Sequence, residues 1–419
     1  MRPDPSELSL DHPVCDLNPL RETHAEAAHW RRYGPLVPVT VMGGVRAWAA
    51  VSADAARTVL EAHPDLAKDP AHWGAYRRGE VPADWPLLSL IVADSMLNAD
   101  GADHLRLRRL VTFAFTPKRV AALAPRVREI TRALLDTLES GGTDTAVDLR
   151  SRFAHPLPLL VICELFGLSD LAQQGLLREH YETMLSVEAS DDARRKAALG
   201  QREVLGRLVA DHRNDPRDDV TGALIEALDE EGGRLSEKEL IDTLEIILLA
   251  GHETTVNSLT STVHALLSHP EQLALVRRGT IGWPAAVEAG LRWNAPLRSV
   301  YMRYAVRDTV LHGVTVRRGE PVLVALAAAN RERPDEPAPE RFDLLAPHGR
   351  QLAFGAGPHF CLGAALARLE NAVALEELFA RFPDLDLAEP ESDLVPLVSP
   401  AINGLASLPV VLNGGAGAA

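Results

Sequence analysis

The chain predicts a mainly α protein with a minor β part, folded as a single domain over residues 18–412. Three observations carry that reading. Apolar residues recur at helical spacing from about Ser52 to Leu291, strand-like alternation is confined to short stretches outside that region, and no linker divides the 419 residues. With 46% hydrophobic and 24% charged residues, the composition supplies a sizeable core and excludes a disordered chain.

Residues 1–17 read as an N-terminal extension. Asn18-Pro19 has the form of an N-cap followed by proline at the first helical position, which predicts a helix through about Tyr33. Val37, Val39 and Val41 alternate before Gly43-Gly44, and Val45 to Val51 runs back, the period and turn chemistry of a hairpin. The helical region is broken at Asp84-Trp-Pro86, Pro156-Leu-Pro158 and Asp229-Glu-Glu-Gly-Gly233. Ser236-Glu-Lys-Glu239 is a capping box, and no proline follows until Pro270, so a helix of about thirty residues, ~45 Å long, is expected. Thr309 to Val316 reads as a short hairpin turning on His312-Gly313, and Pro321 to Ala328 as a buried strand. Leu362, Leu366, Leu369 and Val373 mark one face of a helix ending near Phe382. The tail, Asn413 to Ala419, is too small and Gly-rich to pack and is expected to be disordered.

A net charge of −15 argues against a general binder of nucleic acid or anionic membrane, which would repel the chain on average. No apolar run approaches the ~20 residues that span a bilayer, and Met1 to Leu8 has no leader-like apolar segment, so a cytoplasmic location is expected. Three cysteines, Cys15, Cys163 and Cys361, cannot form a disulfide framework and fit a reducing compartment. Cys163, in an apolar helical stretch, reads as a structural core residue, and Cys15 receives no role.

Cys361 is different. It lies in Phe354-Gly355-Ala-Gly357-Pro-His359-Phe-Cys361-Leu-Gly363, at the start of the last long helix. There the helix dipole and free backbone N–H groups favour a thiolate, as an anionic metal ligand requires. Gly355 and Gly357 permit backbone conformations closed to other residues, and Gly363 removes a side chain where a flat ligand would lie. One soft anionic ligand in a tight loop suits iron in a macrocycle. The segment resembles the haem-binding loop of the cytochrome P-450 superfamily, matching its Phe, Gly, Gly, His or Arg, Cys and Gly positions together.

Within the long helix, Ile246-Ile-Leu-Leu-Ala-Gly251 is apolar on every side and is expected to be buried; His252-Glu253-Thr254-Thr255 follows directly. Buried acids and hydroxyls need partners, so the cluster is a satisfied structural network or a proton path. A buried Thr254 can simply bond the carbonyl of residue 250. Gly251 leaves room against the helix for a small molecule. The segment nearly matches a zinc-protease motif, which fails because position 256 is Val rather than His. Ala250-Gly251-His-Glu253-Thr254-Thr255 is similar to the oxygen-activation motif of the same superfamily. That resemblance implies that Thr254 hydrogen-bonds dioxygen and that Glu253 relays protons from solvent.

His104 and Arg108 stand at i, i+4 on one helical face. They resemble the His-x-x-x-Arg stretch of soluble bacterial members, where these residues bind haem propionate, and Arg303 and His359 match two further propionate positions. The superfamily's Glu-x-x-Arg motif is incomplete. Arg292 and the later Arg341 match it, but its glutamate position is Ala289, and Glu288 is one residue and about 100° away around the helix. Another acid, Glu288 or Glu332, is therefore expected to hold Arg292, and Ala289→Glu tests whether the role is already filled.

The resemblance covers about Asn18 to Leu412. It implies a haem b cofactor between the long central helix and the cysteine-loop helix, with Cys361 on the iron. It further implies a bacterial monooxygenase placing one oxygen atom from O2 into an apolar small molecule, terpenoid, steroid or polyketide-like. Electrons would come from a ferredoxin and its NAD(P)H-dependent reductase, with Arg106, Arg109, Lys118 and Arg119 as a docking patch or an ordinary solvated face. Leu87, Met96, Leu248, Leu297, Val300 and Ile402 are candidate substrate residues. A haem-thiolate peroxygenase and a haem-binding sensor or partner subunit without turnover are the competing readings.

Overall fold

The computed structural model describes residues 4–413, apart from 20, 62, 94, 143–144, 186–188, 228–232, 333–340 and 347–350. Its centre is one helix, Glu237–Ser268, which begins as its capping box requires: the Ser236 hydroxyl accepts from the Glu239 N–H, and the Glu239 carboxylate accepts from the Ser236 N–H at 2.8 Å. From Thr255 to Leu266 every residue is buried. The polar ones are tolerated because the hydroxyls of Thr255 and Thr262 each donate to the carbonyl four residues back, at 2.7 Å. Helices Pro156–Leu165, Trp283–Trp293 and Ala364–Arg381 pack around it. Gly290 sets one of these approaches, since a Cβ there would lie 2.1 Å from Thr262 Oγ1.

Beside the helices lies a six-stranded sheet in the order Cys15–Asp16, Leu36–Val41, Val45–Ala50, Pro321–Val324, Val300–Ala305, Leu66–Ala67. The first hairpin has the expected pairing, Val37 opposite Ala49 and Val39 opposite Ala47. The second joins Thr309–Leu311 to Val314–Val316 through His312 and Gly313 at φ 49° and 84°, the two positive values that such a tight turn needs.

The structure departs from the sequence reading in five places. Pairing begins at Cys15, inside the stretch read as an extension, because Cys15 and Asp16 line up beside Val39 and Thr40. The first helix starts at Thr23 rather than Pro19; the Glu22 carboxylate caps it by accepting from the N–H groups of His24 and Ala25. Pro156-Leu-Pro158 is no break, since both prolines fall in the first turn of Pro156–Leu165, where a missing N–H costs nothing, and a π-helical turn, Arg150–Ala154, leads into it. The strand from Pro321 ends at Val324, and Leu326–Arg331 is helical. Finally, Ile246 to Gly251 is not buried all round: Leu249 is 41% exposed, and Ala250 is exposed too. The joint at Asp229 to Gly232 and the tail from Gly414 lie outside the described residues.

Candidate active site

The cysteine loop is closed by its own backbone. Cys361 N–H donates to the Phe354 carbonyl at 2.9 Å and Gly355 N–H to that of Leu352 at 2.7 Å. Gly357 is required twice over, by φ of 69° and because a Cβ would lie 2.5 Å from the Leu60 carbonyl oxygen. Gly355 shares the positive φ, at 73°. At Gly363 a Cβ would meet only the Cys361 sulfur, at 3.9 Å, so the space beside the sulfur is open there. Desolvation of the sulfur raises the thiol pKa, while the Gly363 N–H, Arg108 and Arg368 pull it back towards the anion. A coordinating metal cation deprotonates such a thiol outright. Cys15 and Cys163, both buried, have thiols raised to about 11 and about 12 and are inert core residues.

Around this loop the fold gathers basic side chains. His104 and Arg108 come from the helix Gly101–Ala114, Arg303 from the strand Val300–Ala305, and His359 from the loop itself. Arg108 ties helix to loop by donating to the Phe360 carbonyl. The rings of His104 and His359 lie 4.0 Å apart between centroids. Lys68, which sequence reasoning missed, is buried beside them, its ammonium on the Tyr301 carbonyl. Asp100 answers the group: it accepts from Lys68 N–H and lies 3.8 Å from Arg303 and 4.0 Å from His359. Burial, with His359 and Arg108 nearby, lowers His104 to about 4, and burial with Arg303 lowers Lys68 to about 7. His104 Nε2 is buried with no hydrogen-bond partner among the described residues. Donors so crowded, one of them orphaned, fit an anionic group such as the two propionates of haem.

The acid and alcohol of the central helix are already engaged. Thr254 donates to the Ala250 carbonyl at 2.6 Å, the local bond its helical position allows. Glu253 Oε2 accepts from Arg150 at 3.0 Å and Asn257 at 3.1 Å; Oε1 faces His155 and His252 at 3.8 and 3.7 Å. Gly251 does not open space for a small molecule: its missing Cβ would sit 3.3 Å from Ile162, so it serves helix packing. Ala250 is the accessible small residue.

Behind the loop, Arg292 is buried and donates to the carbonyl of Arg341 at 2.9 Å, so the matched pair meets through backbone. Glu288 binds Arg368 at 2.5 Å and Gln351 at 2.8 Å, while Glu332 accepts from Ala53 N–H at 2.7 Å. Asn330 takes up part of the bracing. Its amide donates to the carbonyls of Leu291 and Arg292 and its oxygen accepts from Leu352 N–H, joining the helix that carries Ala289 to the strand of chain entering the cysteine loop.

Of the candidate substrate residues, Leu248 and Leu87 are buried and packed in the core. Leu297 and Ile402 sit side by side in an isolated bridge, and Val300 and Met96 are half-buried. Leu249 and Leu90 are the apolar residues that the structure leaves accessible nearby in sequence. In the expected docking patch, Arg106 and Arg119 are turned to Glu239 and Asp218. Phe113 and Phe360 stand exposed near it in sequence and in the cysteine loop.

Comparison with known proteins agrees with this arrangement. The family model "Cytochrome P450" matches residues 174–278 and 284–397. The 2-hydroxy-5-methyl-1-naphthoate 7-hydroxylase of Streptomyces carzinostaticus is 39% identical over 95% of this chain and 97% of its own. The 6-deoxyerythronolide B hydroxylase of Saccharopolyspora erythraea is 38% identical over 92% of this chain and 95% of its own. The solved structure of CYP154C4 from Streptomyces sp. W2061 superposes with a TM-score of 0.88 at 40% identity, covering 95% of this chain and 97% of that one. Haem with an axial cysteine thiolate comes with this family, and among the described residues no helix is long and apolar enough to cross a membrane. The chain belongs to the cytochrome P450 family and is a monooxygenase of that family.

Proposed function

We propose that Cys361 ligates the haem iron and that the enzyme hydroxylates an apolar polycyclic or macrocyclic molecule, polyketide-, steroid- or terpenoid-like. One observation carries the assignment of the site: the cysteine loop and a crowd of buried donors short of an acceptor meet through Arg108. His104, Arg108, Arg303, His359 and Lys68 would hold the propionates, with Phe354, Gly355 and Gly363 flanking the sulfur. The substrate class is supported by the names of relatives, a naphthoate hydroxylase and a macrolactone hydroxylase among them.

Bound haem supplies dioxygen activation and oxygen-atom insertion, the second oxygen leaving as water. The chain's own residues manage protons and exclude water. Glu253 takes a proton from solvent at Oε1, while Arg150 and Asn257 fix Oε2. Thr254, next in the helix, passes it on by turning its hydroxyl from the Ala250 carbonyl. Exposed Phe360 and Phe113, with Arg109 and Lys118, give a small acidic ferredoxin a docking face next to the cysteine loop.

The test is NADPH consumption with a surrogate ferredoxin and reductase, offering a naphthoate, a macrolactone and a steroid in turn. One class is expected to accelerate consumption and yield hydroxylated product. Haem-loaded protein that turns over with peroxide but with none of the three compounds when driven by O2, ferredoxin and NADPH would contradict the proposal.

A further inference from the structure

The near-match to a zinc-protease motif at His252-Glu253 lacks its second histidine in sequence, but the fold supplies one. His155, at the junction of the π-helical turn with Pro156–Leu165, brings its Nε2 to 3.8 Å from Glu253 Oε1, and His252 brings its Nδ1 to 3.7 Å from the same oxygen. The three ligand atoms lie within 4.8 Å of one another.

The tautomer is set for coordination. His252 Nε2 faces the His155 carbonyl at 2.8 Å, an acceptor only, so Nε2 carries the proton and Nδ1 keeps its lone pair. A ligating imidazole is commonly oriented by such a bond from its other nitrogen. Nδ1 is also fully buried and has no hydrogen-bond partner among the described residues. The edge of the ring is fixed by Tyr181, 4.8 Å away between centroids. Glu253 divides its labour, with Oε2 on Arg150 and Asn257 and Oε1 on the histidine side.

We infer that His155 Nε2, His252 Nδ1 and Glu253 Oε1 form a site for a divalent cation of borderline softness, zinc being the reference. Two imidazoles and one carboxylate with a fourth position open is a zinc donor set. Bonds of ~2.0–2.1 Å bring tetrahedral ligand atoms to about 3.3 Å of one another, so the set must close by up to roughly an ångström and a half, mainly through the side chain of His155, which is partly exposed. The Arg150 guanidinium, 3.0 Å from Glu253 Oε2, opposes the cation and weakens its binding. Occupancy ties up Oε1, the oxygen assigned above to the incoming proton; this consequence rests on the proposed role of Glu253, whereas the site itself does not.

The experiment titrates zinc chloride into the haem-loaded enzyme against a chromogenic chelator, then repeats it with His155→Ala, Glu253→Gln and, as a control, the exposed His29→Ala. The tightest site is expected to bind one zinc per chain and to weaken at least tenfold in His155→Ala and in Glu253→Gln but not in His29→Ala. Unchanged affinity in both site variants overturns the inference. Zinc is further expected to slow O2-driven turnover at least tenfold in the wild type, to spare peroxide-driven turnover, and to lose its effect in His155→Ala. Zinc bound at this site without inhibition upholds the site and overturns the proton role of Glu253.

Discussion

The two polar regions of the site are built on opposite principles. Around the cysteine loop, His104, His359, Arg303, Arg108 and Lys68 crowd together with Asp100 as their acid, and one buried imidazole nitrogen goes unanswered. On the central helix, by contrast, the hydroxyl of Thr254 and both oxygens of Glu253 have protein groups facing them. The first region gathers donors in the arrangement that an anion such as a propionate would need. The second is at rest, and its groups must exchange protein contacts to act. On the proposed roles, the groups that would hold the cofactor are set beforehand, and those that would move protons must first rearrange.

The largest expected effect breaks the second region. Thr254→Ala and Glu253→Gln are each expected to cut O2-driven hydroxylation by ~100-fold while peroxide-driven turnover is kept, the range for losing a general acid. Equal losses with both oxidants would place these residues in packing rather than proton delivery. Next comes the clamp. Arg303→Ala removes a buried charged donor, worth about 2 kcal/mol, and is expected to speed haem loss to an excess of a haem scavenger by ~10- to 100-fold with little change in kcat of the loaded fraction. A kcat loss at unchanged haem retention would contradict the division of labour.

The smallest effect lies outside both regions. Burial lifts the Glu370 carboxyl from 4.5 to about 8, and its Oε2 has no hydrogen-bond partner among the described residues. The folded chain then keeps a proton that the unfolded chain releases, so stability is full below about pH 4.5 and falls as pH rises towards about 8. Glu370→Gln is expected to melt with the wild type near pH 5 and a few degrees above it at pH 8. Parallel melting curves at both pH values would show that the carboxyl ionises without penalty.

Local signals in the sequence were faithful where one element decides the outcome. The capping box at Ser236, the Gly43-Gly44 and His312-Gly313 turns and the helix after Cys361 are all where spacing puts them. Legibility ends where two elements meet. Gly251 reads as room for a ligand until Ile162 is seen to fill it, and Leu248 reads as cavity lining until the helix is oriented and Leu249 proves to be the accessible neighbour. Lys68 carried no motif, and only the pairing of Leu66–Ala67 with Val300–Ala305 brings it beside Arg303. Glu288 and Glu332 also meet groups far along the chain, Arg368 and the Ala53 N–H, contacts that no local motif announces. Asn330 supplies a brace that no acid-based search would find.

The central claim is that Cys361 is the thiolate ligand. It is tested most directly by the absorption spectrum of the reduced, carbon-monoxide-bound protein, wild type beside Cys361→Ala. The wild type is expected to show the red-shifted band of a thiolate-ligated haem, and the variant to lack it. A haem-loaded wild type without that band, or a variant that retains it, would contradict the account.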